Sequence, residues 1–115
     1  MSYTFRRWQP GDKLPSNWTG VPPSSAYALF FGNTQIGAAI LGWSDLNNIF
    51  FIEIFEPYRK QGHGTVFMSK IEEEVKKMGY DYITAFPVID DTVWLKWGFK
   101  LEKVIDRDKL MKKKI

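Results

Sequence analysis

Apolar positions change their spacing along the chain, and those changes mark its elements. Tyr3 to Trp8 alternates and carries aromatic rings, the pattern of a strand. Between Gln9 and Ser25 stand Pro10, Pro15, Pro22 and Pro23, with Gly11 and Gly20. Prolines this close together forbid a long helix, so this segment is an extended crossing with at most a short N-terminal helical region. Ala26 to Phe31 and Thr34 to Gly42 are two strand-like runs separated by Gly32 and Asn33, residues suited to a tight hairpin turn. After a turn over Asp45 to Asn48 comes the run Ile49 to Phe55. Its first four residues are all apolar and do not alternate, which predicts a central strand covered on both faces.

The period then becomes helical. Phe67, Ile71, Val75 and Met78 fall at intervals of four, four and three, with Glu72–Lys76 and Glu73–Lys77 as pairs on the wet side. Gly79 suits the left-handed cap that ends such a helix. Tyr82 to Phe86 is a strand reached through a helical crossover, so it must run parallel to a strand already in the sheet. Asp90 or Asp91 can cap a short helix through Trp97, closed by Gly98. Phe99 to Ile105 and Lys109 to Ile115 form a last hairpin. The predicted class is α+β in one domain spanning 1–115: a mainly antiparallel mixed sheet with one parallel step, flanked by helices.

Composition narrows what such a domain does. In 115 residues there are nineteen aromatics, one histidine and no cysteine. The aromatic content argues against disorder. The missing thiols exclude disulfides, a cysteine nucleophile and thiolate metal sites, and one imidazole is too few for a zinc site. No apolar run approaches the ~18 residues of a membrane span. The N-terminal segment shows no apolar signal, which makes a cytoplasmic location the default. Charge is uneven: three basic and four acidic residues up to Tyr58, then thirteen basic and nine acidic. The basic excess of the second half suits an anionic partner.

One segment concentrates that chemistry. Arg59-Lys60-Gln61-Gly62-His63-Gly64-Thr65 lies between a strand and an amphipathic helix. Glycines at alternate positions let several N–H groups face one ligand, and the helix N-terminus adds unpaired N–H groups and a positive dipole end. Arg59 and Lys60 add full charges. A pyrophosphate cradle follows, though neither the nucleotide-hydrolase loop (no Lys follows Gly64) nor the dinucleotide fingerprint (Phe67 stands where its third glycine belongs) fits.

Phe55-Glu56-Pro57 followed by Arg59-x-x-Gly62-x-Gly64, with Trp94-Leu95-Lys96-Trp97-Gly98-Phe99 ending the next helix, resembles the two landmarks of the GNAT superfamily of N-acyltransferases. The specific motifs lie between Ile49 and Phe99. The resemblance implies acetyl-CoA as co-substrate, direct acetyl transfer to an amine, and no metal. It places the CoA pyrophosphate on Arg59, Lys60, Gln61, Gly62, His63, Gly64 and Thr65. The backbone of Ile54 and Phe55 would meet the pantetheine, and Trp94 would stand near the thioester. Trp94 occupies the position where the family often carries an acidic tyrosine, and indole does not supply that proton.

Amine attack benefits from a general base. Glu53, which interrupts an apolar strand two residues before Phe55, is the first candidate and Glu56 the second. The structural alternative for Glu53 is solvent exposure or an ion pair with Lys or Arg. His63 supports phosphate or faces water more readily than it acts as base. Trp94 and Trp97 serve equally as core.

The crossing from Gln9 to Ser25 is too short for the two helices the family places there. An open acceptor face follows, suited to a small-molecule or protein amine, or completed by a second subunit; Trp8, Trp18 and Tyr27 could line it. Two further readings are a non-catalytic CoA-binding module and a nucleic-acid binder resting on Lys112-Lys113-Lys114 and the aromatics.

Overall fold

The computed structural model describes residues 2–20, 23–42, 45–87 and 92–115. Seven strands form one sheet in the order β1-β2-β3-β4-β5-β7-β6. They are β1 (Tyr3–Arg7), β2 (Ala26–Phe31), β3 (Thr34–Leu41), β4 (Asn48–Ile54), β5 (Tyr82–Ala85), β6 (Lys100–Ile105) and β7 (Asp108–Lys114). Helix α1 (His63–Lys77) crosses from β4 to β5, and the short α2 (Thr92–Lys96) precedes β6. Neighbours are antiparallel except β4 and β5, which run parallel as the crossover requires. The hairpin between β2 and β3 closes with Phe31 opposite Thr34, and Gly32 takes the positive φ of +61°.

Helix α1 buries Phe67, Met68, Ile71 and Val75 against Tyr27, Leu29, Ile36, Ile49, Ile83 and Met111. Each such side chain contributes about 2 kcal/mol relative to exposure, so the amphipathic stripe, not helix propensity, holds α1 in place. Its end is a Schellman turn: Gly79, at φ +99°, donates to Lys76 O at 3.0 Å, and Tyr80 donates to Val75 O at 3.4 Å. Glu72 reaches Lys113 Nζ at 2.6 Å, tying the helix to β7.

Two expectations change. Among described residues 2–20 and 23–25 there is no helix. Residues 8–20 form an extended strap with turns instead, as Pro10 and Pro15 dictate. Lys13 N–H donates to Gln35 Oε1 at 2.7 Å, and Gln35 Nε2 returns a bond to Lys13 O at 2.8 Å.

The second change concerns the strand covered on both faces. That strand is β3, buried from Ile36 to Leu41, whereas in β4 Phe50 is 49% exposed. The run Ile49 to Ile52 fails to alternate because of a bulge: Ile40 opposes Phe51 and Leu41 opposes Ile49, leaving Phe50 as the extra residue. Consecutive side chains of a strand normally point to opposite faces. Here Phe50 and Phe51 both meet Trp18, at centroid distances of 6.3 and 5.8 Å.

The expected caps Asp90 and Asp91 lie outside the described residues. The rest of the α2 landmark has a local reason. Gly98, at φ +92°, donates to Leu95 O, while Phe99 N–H returns to Trp94 O, both at 3.0 Å. The Trp94 and Phe99 rings meet edge-on at 5.2 Å, the apolar contact that accompanies this helix stop.

Candidate active site

The site begins where the parallel strands part. β4 and β5 pair only through Asn48–Thr84 and Ile49–Ala85, after which β5 ends and β4 runs on to Ile54. Phe55 N–H donates to Ile36 O at 2.8 Å, so it faces β3. Backbone groups alternate along a strand, which turns those of Ile54 to the opposite edge, beyond the splay. There the Ile54 carbonyl accepts Arg59 Nε–H at 2.7 Å.

Past β4 a single 3₁₀ turn, Glu56–Tyr58, carries Pro57 in its first positions. Lys60 then takes φ +62° and Gly62 φ +85°, and α1 starts at His63. Gly62 is the N-cap residue; no side chain caps the helix, and its first turn has no acidic residue. The first N–H groups of a helix have no partner inside it. Here they stand beside the positive dipole end with Lys60 exposed at the rim, which is what an anionic group needs.

The remaining candidates are placed as follows. His63 is only 7% exposed, and its ring turns into the sheet end: Nδ1 lies 2.7 Å from the Tyr3 hydroxyl, with Phe31 alongside. Its side chain thus ties the start of α1 to β1 and the β2–β3 hairpin. Gln61 Nε2 contacts Pro57 O at 3.4 Å. Thr65 Oγ1 lies 3.4 Å from Trp97 Nε1. A Cβ built on Gly64 would stand 3.2 Å from the Trp97 ring, so this glycine admits the indole against α1. Trp94 rests edge-on against Trp97 at 5.3 Å, within the aromatic packing that joins α2 to β6.

Glu53 points to the sheet face that carries the strap. Ser16 holds it with its N–H on Oε1 at 2.6 Å and its hydroxyl on Oε2 at 2.8 Å, and Arg59 reaches Oε2 at 3.2 Å. The carboxylate is thus near the splay but engaged by three donors. Glu56 is exposed in the 3₁₀ turn. Tyr27 is not at the acceptor face: it is buried, stacked on Phe5 at 5.2 Å, and burial raises its pKa, with the charge of Glu74 adding to the shift. Trp8 sends its Nε1–H to Asp12 O at 3.0 Å within the strap's first bend. Trp18 stands over Phe50 and Phe51.

Sequence reading missed Ser16 and the Ile54 carbonyl as partners of Glu53 and Arg59. Ser16 could not be found from spacing, because the strap meets β4 only in three dimensions, and the Arg59 contact depends on how the 3₁₀ turn folds the loop back onto the end of β4. The lysine run has local partners as well. Lys113 is paired with Glu72, and Lys112 Nζ lies 4.4 Å over the Tyr82 ring. Among the described residues there is no cluster of metal-ligating side chains, and no helix long and apolar enough to cross a membrane.

No family model and no curated protein matches the chain in sequence. Solved structures do match its fold. A GNAT family acetyltransferase from Elizabethkingia anophelis with acetyl-CoA bound superposes with a TM-score of 0.76 at 16% identity, over 98% of both chains. The ribosomal-protein-S18-alanine N-acetyltransferase of Escherichia coli gives 0.70 at 13% identity, over 96% of this chain and 91% of its own. The paia N-acetyltransferase of Thermoplasma acidophilum, in complex with coenzyme A, gives 0.61 at 20% identity, and this chain covers 60% of its length. The splayed strands and the uncapped helix therefore sit in a chain that has the fold of the GNAT acetyltransferases.

Proposed function

We propose that the chain is an acetyl-CoA-dependent N-acetyltransferase acting on a primary amine. The observation that carries this reading is the uncapped, acid-free N-terminus of α1 placed beside the free edge of β4, on the fold described above. The amides from Gln61 to Thr65, with Lys60 and Arg59, hold the diphosphate. The free edge at Ile54 pairs with the pantetheine amide as an added strand would, once Arg59 turns from the Ile54 carbonyl toward phosphate.

Acetyl-CoA supplies the activated carbonyl. The amine nitrogen forms the new C–N bond, the C–S bond breaks, one amine proton leaves and the thiolate takes a proton. Glu53 accepts the amine proton when Arg59 leaves it, and Glu56 at the strand exit is the second candidate. Trp94 offers no titratable proton, so the sulfur is protonated from water. The site test is thiol release from acetyl-CoA in the presence of an amine panel. Release that depends on amine is expected, and none on any amine, with acetyl-CoA bound, would contradict transfer. That second outcome selects the alternative favoured by Trp94 and by the three donors on Glu53: a CoA-binding module without turnover.

A further inference from the structure

Strand β6 comes last in the sheet order, so its outer edge pairs with no other strand of the chain. It runs from Lys100 to Ile105 without a proline, and all six residues are exposed. Leu101 and Val104 are 53% and 57% exposed, apolar surface of a kind that free sheet edges normally avoid. The ladder with β7 shows where they face, because directly opposed residues share one face of a sheet. Leu101 opposes Met111, which is buried in the core under α1, and Val104 opposes Lys109, two residues from it. Lys100 and Lys103 oppose Lys112 and Leu110 on the other face. The ladder skips Glu102, and this bulge puts Leu101 and Val104 on the same face although they stand three residues apart. One side of the edge is therefore apolar and the other carries two lysines.

Charge says what such an edge accepts. Residues 100–114 hold seven basic and three acidic side chains, a net of +4, against +3 for the whole chain. Lys112 and Lys113 are engaged by the Tyr82 ring and by Glu72. Among the described residues Lys100 and Lys103 make no ion pair. A second copy of the hairpin laid on this edge would bring one net positive charge against another, and edge lysines are a device by which native sheets refuse self-association. An extended segment that carries carboxylates meets attraction in the same place.

We propose that β6 is a docking edge for an extended acidic segment of another protein, which adds to the sheet as an eighth strand. Its backbone pairs with the outer N–H and C=O groups of β6, and this pairing supplies the affinity. Successive residues of the added strand point to opposite faces. Apolar residues at every second position cover Leu101 and Val104, and the acidic residues between them meet Lys100 and Lys103. That alternation supplies the selectivity. In the sheet order β6 lies two strands beyond β5, away from the splay, so docking is independent of the acetyl-transfer reading.

The test is calorimetric titration of the full chain with two end-blocked octapeptides of one composition, Glu-Val-Glu-Val-Glu-Val-Glu-Val and Glu-Glu-Val-Val-Glu-Glu-Val-Val. The alternating peptide is expected to bind about tenfold more tightly, the scale of a few cross-strand pairs. Its affinity should fall as salt is raised. Val104→Glu is expected to abolish binding and leave the melting temperature unchanged, because the side chain is exposed. Amides of successive residues point to opposite edges of a strand, so N-methylation of either alternate set in the peptide blocks one edge. One set should abolish binding and the other preserve it. Equal affinity for the two peptides, binding that survives Val104→Glu or both methylated sets, or no binding of either peptide overturns the proposal. Sedimentation of the chain alone completes the test: a monomer is expected, and a dimer that Val104→Glu dissociates would give the edge to a second copy and overturn the proposal as well.

Discussion

Arg59 Nε donates to the carbonyl of Ile54 at 2.7 Å while the same guanidinium reaches Glu53 at 3.2 Å. One side chain therefore links the loop before α1, the free edge of β4 and the candidate base. Arg59→Met is expected to weaken acetyl-CoA binding by about tenfold or more, the loss of one charge-assisted contact to phosphate. Because the Arg59–Glu53 pair is exposed, stability should change by less than about 1 kcal/mol. Calorimetry and thermal melting separate the two effects. Unchanged affinity would remove Arg59 from the phosphate site.

Glu53→Gln keeps acceptors for Ser16 but cannot take a proton. If Glu53 serves as base, turnover near neutral pH falls about a hundredfold with acetyl-CoA affinity unchanged. A melting temperature that drops while the rate holds would identify Glu53 as a tie between strap and sheet and nothing more.

Gly64→Val places branched carbons where the Trp97 ring lies, 3.2 Å from the first of them. A loss of about 1–3 kcal/mol is expected from overpacking, together with weakened acetyl-CoA binding as the α1 amides shift. Adding Trp97→Leu should recover most of the stability. If Gly64→Val alone melts like the parent protein, the indole does not pack there. Gly62→Ala meets open space but keeps φ +85°, so its cost of about 1 kcal/mol is purely conformational.

These contrasts show how far local pattern reaches. α1 was legible because Phe67, Ile71 and Val75 repeat with the helical period and Gly79 closes the helix two residues after Lys77. The hairpin at Gly32 and the parallel step to β5 followed from connection length alone. Phe50 and Phe51 misled, because a bulge breaks alternation without burying the strand. At the candidate site, the loop before α1 was visible as a run of glycine and basic residues. The direction of the His63 ring was not, since it depends on Tyr3, sixty residues away, arriving at the sheet end. Tyr27 looked available for the acceptor face until Phe5 and α1 enclosed it.

Tyr3→Phe removes the hydroxyl 2.7 Å from His63 Nδ1 and leaves a buried imidazole nitrogen without its partner. A loss of about 1–2 kcal/mol is expected in denaturant unfolding. Acetyl-CoA affinity should fall with it, because this contact fixes the residue at which α1 begins. A variant of full stability and affinity would show that backbone packing alone sets the helix start.

Acid should loosen the strap first. Arg6 grips Asp12 at 2.6 and 3.0 Å, and these bonds, aided by the Gln9 N–H, hold the carboxyl below its ordinary value of 3.8. A depressed folded pKa means that the contribution is complete above the unfolded value and disappears as pH falls through the folded one. Melting temperature should therefore decline between about pH 5 and pH 2. Asp12→Asn, at a cost of no more than about 1 kcal/mol near neutrality, should flatten part of that decline. Identical pH profiles for the two proteins would deny the pair any role.

The central claim is that the N-terminus of α1 and the free edge of β4 form a site for acetyl-CoA. It is tested most directly by calorimetric titration of the full chain with acetyl-CoA at low and at moderate salt. Micromolar binding that persists at moderate salt is predicted, since amide contacts and the pantetheine strand are not screened as surface charges are. A well-folded sample that takes up no acetyl-CoA at either salt concentration would contradict the account and leave the loop from Arg59 to Thr65 as a turn.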